Sequence, residues 1–296
     1  MSLVVNNNLM AANAARNLNN AYGKLSTSTQ RLSSGLRINS AADDAAGLAI
    51  RELQRADIAT LKQGARNAND AISMIQTADG ALQIIDEKLI RMKELAEQAA
   101  TGTYDSTQRL MIESEYQAMA SEITRIANAT DFNGIHLLNG NLSSEKHDGS
   151  QLTQTGKMKI HFGTGNDSAE DYYYIRIGSA TASALGVGNQ AVGSDGYTVS
   201  TQEAAQKALD AINNAIVSKD KIRAHLGALQ NRLENTISNL NIQAENLQAA
   251  ESRISDVDVA TEMTEFVRNQ ILTQSAVAML SQANSLPKMA MQLIGG

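Results

Sequence analysis

The side chains that most often carry chemistry are few in these 296 residues and are poorly spaced for it. Four histidines, His136, His147, His161 and His225, stand far apart, and no H-E-x-x-H or comparable spacing gathers them for a metal. Cysteine is absent, which removes thiolate ligands, nucleophilic thiols and disulfides together. Gly186-Val187-Gly188-Asn189 is glycine-rich but lacks the rest of a dinucleotide fingerprint. Neither a phosphate-binding loop nor a G-x-S-x-G elbow occurs. Asp43 and Asp44 are adjacent carboxylates. Because helix neighbours do not face each other, they read as a helix N-terminal or interface feature rather than an acid–base pair. The expectation is a protein without catalytic, metal or cofactor-binding residues, and so not an enzyme.

The elements that would position any site are helices. One proline in the whole chain leaves few helix breaks, and aromatic residues make up only 3%, so small and aliphatic side chains must supply the burial. A net charge of −6 argues against a nucleic-acid binder, which needs a basic stripe. Residues 1–15 carry no Lys or Arg and no following apolar core of signal-peptide type, which argues against a cleavable secretory signal. The uncharged stretch from Asn269 to Pro287 is broken by Asn, Gln, Ser and Thr, too polar for a membrane span.

Periodicity places the helices. Leu18, Tyr22, Leu25, Leu32 and Leu36 recur at steps of three, four or seven, until Ser33-Ser34-Gly35 ends or bends the helix. A heptad seam then runs from Ile58 through Leu61, Ala65, Ala68, Ile72, Ile75, Leu82, Ile85, Leu89 and Met92 to Ala99, and needs a partner helix along its length. Thr101-Gly102-Thr103 breaks it. Asp105 with Gln108 offers a capping box for a shorter helix through Ile112, Tyr116, Met119, Ile123 and Ile126. Asn133-Gly134 and Asn139-Gly140 mark turns. Alternation takes over at Met158, Ile160 and Phe162, and with Tyr172 through Ile177 it predicts a pair of strands over 157–162 and 171–177. A second seam, Leu226, Leu229, Leu233, Ile237, Leu240, Ala244 and Leu247, lies in a helix over 203–253. Leu272, Ala276, Met279, Ala283 and Leu286 continue the pattern.

The fold class expected is mainly α: a long antiparallel helical bundle or coiled-coil rod formed by the N- and C-terminal segments, with a small β-hairpin region in the middle. The expected division is 1–41 with 257–296 as a terminal helical assembly domain, 42–140 with 203–256 as a helical rod, and 141–202 as a β-containing insertion. The two ends are almost uncharged and rich in Asn, Gln and Ala, a composition that buries poorly within one molecule. Ordering a residue costs about 1–2 kcal/mol, and few large side chains are there to offset it. Residues 1–40 and 258–296 are therefore predicted to become helical when copies of the chain associate, with Leu18, Tyr22, Leu25, Leu32, Leu272, Ala276, Met279, Ala283 and Leu286 as contact residues.

The run from Gln30-Arg31-Leu32-Ser33-Ser34-Gly35-Leu36-Arg37 through Asp43-Asp44-Ala45-Ala46-Gly47 to Ile50 resembles the N-terminal signature of bacterial flagellins. Asp131-Phe132-Asn133-Gly134, Leu226-Gly227-Ala228-Leu229-Gln230-Asn231-Arg232 and the close from Gln282-Ala283-Asn284 to Pro287 match the same family in the same order. The matches fall at about 1–140 and 203–296, so the chain looks like a short flagellin with a minimal variable region at 141–200. The resemblance implies a self-polymerising filament subunit for motility, placed in the secreted, extracellular flagellum. It implies passage, unfolded, through the flagellar export apparatus with a secretion chaperone. It also implies filament cap and hook–filament junction proteins as partners. Two alternatives are a hook–filament junction protein, which has similar ends, and a soluble helical adhesion or binding module.

Ile90-Arg91-Met92-Lys93-Glu94-Leu95-Ala96 further resembles the segment of many flagellins that Toll-like receptor 5 recognises, which implies Arg91, Leu95 and Glu115 as receptor-binding residues. Lys93 stands where Arg is common, and Glu97 where the family has an apolar residue. Read from residue chemistry alone, the same positions make a solvated helix face on which Arg91 pairs with Glu94 or with charges near Asp86.

Overall fold

The computed structural model describes residues 8–148, 155–168, 170–189, 191 and 193–294. Six helices occur among them: α1 (Leu9–Ser34), α2 (Ala45–Ala100), α3 (Ser106–Ala129), α4 (Ala182–Leu185), α5 (Gln202–Ser255) and α6 (Val259–Ile294). Three short antiparallel strand pairs lie between α3 and α5: β1 (Asp131–Phe132) with β2 (Ile135–His136), β3 (His147–Asp148) with β4 (Thr155–Gly156), and β5 (Met158–His161) with β6 (Tyr172–Ile175). The mainly α architecture with a small central hairpin is the one the periodicity predicts. The chain divides into two compact units, one of residues 1–58 and 245–296 and one of residues 59–244.

In the unit of residues 59–244 the seams do what their spacing requires. Leu82, Ile85, Leu89 and Met92 of α2 are fully buried, as are Tyr116 and Ile123 of α3, and Leu226 and Leu233 of α5 are 1% exposed. Ile72 and Ile237 are half buried against the same core. Two ion-pair sets join α2 to α5. Lys219, with its side chain almost wholly buried, meets Asp86 at 2.5 Å and Asp220 at 2.8 Å, and Arg223 Nε meets Asp79 at 2.7 Å. A buried ammonium left without its carboxylate is costly, so the Lys219 pair fixes which turn of α2 faces which turn of α5, and the half-exposed Arg223–Asp79 pair lies along the same contact.

The central insertion is more structured than alternation alone predicts. Besides the β5–β6 pair, whose register sets Met158 against Ile175 and His161 against Tyr172, the structure adds β3, β4 and the single turn α4 within it, and the β1–β2 pair just before it. The Asn133-Gly134 turn joins β1 to β2, with positive φ at both residues. Side chains of α3 hold the loop that follows α4. The buried Tyr116 hydroxyl donates to the Gly196 carbonyl at 2.8 Å, Gln117 Nε2 donates to the Tyr197 carbonyl at 2.8 Å, and Glu113 accepts from the Val199 N–H. Burial pushes the Tyr116 phenol well above its ordinary value. Polar contacts of this kind leave no periodic mark in a sequence.

The β5–β6 pair packs on both long helices of this unit. Met158 and Phe162 are buried, the Phe162 and Tyr173 rings meet edge to face at 4.6 Å, and the Arg232 guanidinium lies 3.5 Å over the Tyr173 ring. Asn67 Nδ2 donates to the His161 carbonyl at 2.9 Å. Beside it, Gly64 is buried where a Cβ would overlap the Phe162 carbonyl, whereas at Gly80 nothing lies within 4 Å. Gly64→Ala is therefore expected to cost about 1–3 kcal/mol through displaced backbone. Gly80→Ala, at an open mid-helix position, should stabilise by about 0.5–1 kcal/mol. Urea unfolding of both variants checks the pair, and equal effects would contradict the packing described.

Candidate functional site

The first candidate surface belongs to the unit of residues 1–58 and 245–296, and its geometry starts from the corner between α1 and α2. Gly35, with φ 71°, caps α1, its N–H donating to the Arg31 carbonyl at 2.8 Å. The chain then runs beside the end of α5. The Arg37 N–H donates to the Ser255 carbonyl at 2.7 Å, the Val257 N–H to the Gly35 carbonyl at 3.0 Å, and the Arg37 guanidinium to the Ile254 carbonyl. Asp43 accepts from the Asn39 and Ser40 N–H groups and the Ser40 hydroxyl, which hold its carboxyl below the usual range. Asp44 accepts from the Gly47 N–H at 2.9 Å, and Arg51, largely buried, donates to the Ile38 carbonyl at 2.8 Å. The two aspartates are thus corner and helix-start residues, as their adjacency predicts. Asp258 performs the equivalent task at the start of α6, accepting from Thr261 and Ala260.

This double corner brings α1 and α6 together, and their contact is unusual in the size of its side chains. Ala21 and Ser28 of α1 are buried, and so are Asn269, Thr273 and Ala283 of α6. Asn8 Nδ2 donates to the Ala283 carbonyl at 2.8 Å, and Arg31 lies 3.6 Å from Glu262 across the pair. Leu18, Leu25, Leu32, Phe266 and Leu280 are half buried, whereas Leu9, Met10, Tyr22, Met263, Val267, Ile271, Leu272, Val277 and Met279 are all exposed. A groove of about 740 Å³ runs along the pair, lined by Met10, Asn13, Asn17, Leu272, Ser275 and Met279 among others.

The predicted contact residues divide accordingly. Ala283 is buried and Ala276 half buried toward α1, whereas Leu272 and Met279 of the same heptad pattern are 51% and 62% exposed and line the groove. Leu18, Leu25 and Leu32 are half buried, and Tyr22 is exposed. The Leu286 side chain lies outside the described residues. Within the predicted segments, Leu9–Ser34 and Val259–Ile294 are helical in the single chain, where the composition predicts order on association. Small side chains let two helices approach closely enough to pair, although they bury little apolar surface. Sequence reasoning missed Asn269, Thr273 and Ser28, polar residues at buried positions that no hydrophobic period can flag.

The second candidate surface lies on α2 and α3. Arg91 and Glu115 come together: Arg91 Nη2 and Nε reach Glu115 Oε1 at 2.7 and 2.9 Å, and Nη1 reaches Glu94 at 2.9 Å. These carboxylates favour the charged guanidinium still further. Leu95 is not part of that surface. It is 1% exposed and packs in the core, so any contribution it makes to recognition is through holding the helix face. Asp86 pairs with Lys219 rather than with Arg91. Ile90, Leu110 and Met111 are exposed apolar residues on the same two helices. Among the described residues no cluster of His, Cys, Asp or Glu could hold a metal ion, and no helix is long and apolar enough to cross a membrane.

Comparison with known proteins assigns these surfaces a context. Residues 5–143 match the bacterial flagellin N-terminal helical region, and residues 209–294 match the bacterial flagellin C-terminal helical region. The chain is 42% identical over 293 residues to the flagellar filament 33 kDa core protein of Treponema phagedenis, covering 99% of this chain and 100% of that one. It is 41% identical over 292 residues to a flagellin of Halalkalibacterium halodurans, with 99% and 100% covered. A putative flagellar hook-associated protein from Vibrio parahaemolyticus shares the fold, with a TM-score of 0.54 at 14% identity, over 72% of this chain and 100% of that one.

Proposed function

Because the chain belongs to the bacterial flagellin family, and is accordingly a structural subunit of the flagellar filament and not an enzyme, we propose that it polymerises with copies of itself through the outward faces of α1 and α6. One observation carries this reading: the buried positions of the pair include Ala21, Ser28, Thr273 and Ala283, its leucines Leu18, Leu25 and Leu32 are only half buried, and Tyr22, Ile271, Leu272 and Met279 stand exposed. A soluble helix pair ordinarily does the reverse. Water-exposed side chains of this size are worth about 1.5–3 kcal/mol each when fully buried, and neighbouring subunits are the surfaces available to bury them.

The wider reading follows from the same ends. A chain without cysteine carries no cross-link, and a thinly packed terminal pair opens at low cost. Both features suit export in an unfolded state through the flagellar export apparatus with a secretion chaperone. Assembly then takes place beneath the filament cap, beyond the hook–filament junction proteins, in an extracellular filament. Relatives named as flagellins and filament core proteins favour this over a junction protein, and the exposed terminal faces favour it over a self-contained adhesion module.

A second reading rests on the exposed Arg91–Glu115 pair: recognition of the monomer by Toll-like receptor 5. Arg91 presents a planar guanidinium held between two carboxylates, the kind of preset donor that recurs at interface hot spots.

Two measurements separate these surfaces. The double variant Tyr22→Ser/Met279→Ser should leave monomer stability within about 0.5 kcal/mol and raise the critical concentration for seeded filament growth about 10-fold. Sedimentation and electron microscopy read the outcome, and filaments at the unaltered critical concentration would overturn the assembly assignment. Arg91→Ala should shift unfolding by under about 1 kcal/mol, as exposed ion pairs do, while lowering receptor activation by monomer about 10-fold. Unchanged activation would remove the receptor reading.

A further inference from the structure

The methionines of this chain are unevenly placed. Met74, Met92 and Met158, in the unit of residues 59–244, are 7% exposed or less. Met10 of α1 and Met263, Met279 and Met289 of α6 are between 44% and 62% exposed. Among the described residues, Met111 on α3 is the one methionine of comparable exposure outside the terminal helix pair. Met10 and Met279 come from different helices and line the same groove of about 740 Å³, beside Leu272. Sulfur is thus shielded in the core and presented on the helix pair whose apolar faces stand open.

A thioether is apolar and flexible, which suits a surface that copies of the chain cover. It is also the side chain left here to take an oxidant. Cysteine and tryptophan are absent from the sequence, so neither a thiol nor an indole competes. Hydrogen peroxide passes an oxygen atom to the sulfur: the O–O bond breaks, an S–O bond forms and water leaves. The sulfur loses two electrons, the peroxide gains them, and the product is a polar sulfoxide. The reaction needs access to the sulfur, which the terminal pair gives and the core denies. A sulfoxide oxygen buried against a neighbouring copy without a hydrogen-bond donor opposes that contact. A copy already in place covers the sulfur, so the modification acts on the monomer.

We propose, resting on the assembly reading above, that Met10, Met263, Met279 and Met289 form an oxidation site through which peroxide stops the monomer from joining a filament. The test treats full-length monomer with hydrogen peroxide, removes the excess with catalase, maps sulfoxides by peptide mass spectrometry and adds untreated seeds. Sulfoxide should form at these four residues well before Met74, Met92 and Met158, and the critical concentration should rise about 10-fold or more. Methionine sulfoxide reductases for both epimers, supplied with a dithiol, should restore growth; the dithiol closes to a disulfide and the oxygen leaves as water. The variant Met10→Leu/Met263→Leu/Met279→Leu/Met289→Leu conserves volume and keeps Met111. After the same treatment it should grow within about 2-fold of its untreated level. Unaltered growth of the oxidised wild-type chain, an equal loss in the leucine variant, or oxidation of Met74 as fast as Met279 would each overturn the proposal and leave the assembly reading standing. Untreated chain that fails to grow on seeds would overturn both.

Discussion

The contact between α1 and α6 sets the terms for the rest of this molecule, because its buried side chains are small or polar and its larger ones, Leu18, Leu25 and Leu32 among them, are only half buried. Burying a Leu is worth about 1.5–3 kcal/mol, whereas an Ala methyl brings roughly one CH₂ equivalent, about 0.8 kcal/mol. Ala21, Ser28, Thr273 and Ala283 occupy the positions where a self-sufficient pair would place Leu or Ile. Against them stands an ordering cost of about 1–2 kcal/mol for every residue fixed. The terminal pair is therefore complete in shape and deficient in burial. The exposed apolar surface on its outer faces is the other half of the same arrangement, and the proposed assembly would use both: modest burial within the chain and further burial where copies meet.

The unit of residues 59–244 is built on the opposite plan. Its seams bury Leu82, Ile85, Leu89, Tyr116 and Leu226 completely or nearly so, and the Lys219–Asp86 and Arg223–Asp79 pairs hold one register of α2 on α5. Leaving the buried Lys219 ammonium without Asp86 would be more damaging than never having had the pair, so this contact specifies alignment more than it adds stability. Side chains on α3 pin the insertion by hydrogen bonds, which lets a segment rich in Gly, Ser and Asn keep a fixed path without a core of its own. The large buried apolar side chains are thus concentrated in one unit, and the terminal helix pair carries many exposed ones.

How much of this could be read from the sequence depends on how each residue acts. Apolar period exposed the long helices, since Ile58 through Ala99 and Leu226 through Leu247 repeat at spacings that one structure satisfies. Gly35, Asn133 and Gly134 marked a helix end and a turn through backbone preference. The hairpin announced itself by alternation at Met158, Ile160 and Phe162. The insertion's loop anchors left no signal, because the Tyr116 hydroxyl, Gln117 and Glu113 act as single polar contacts and the apolar period marked only the Tyr116 ring as buried. The orientation of Leu272 and Met279 also escaped, since a heptad says that a face exists and not whether the same chain or another covers it. Leu95 shows the reverse limit: a match to a recognised segment did not reveal that the side chain points into the core.

Hydrogen–deuterium exchange followed in monomer and in filament, residue by residue, addresses the inverted packing of the ends most directly. Amides of α1 and α6 are expected to exchange orders of magnitude faster than those of α2 around Leu89 in the monomer, and to become protected to a similar degree once polymerised. Equal protection of α1, α6 and the Leu89 region in dilute monomer would contradict the account, for it would mean that Ala21, Ser28, Thr273 and Ala283 already hold the ends as firmly as a full hydrophobic core.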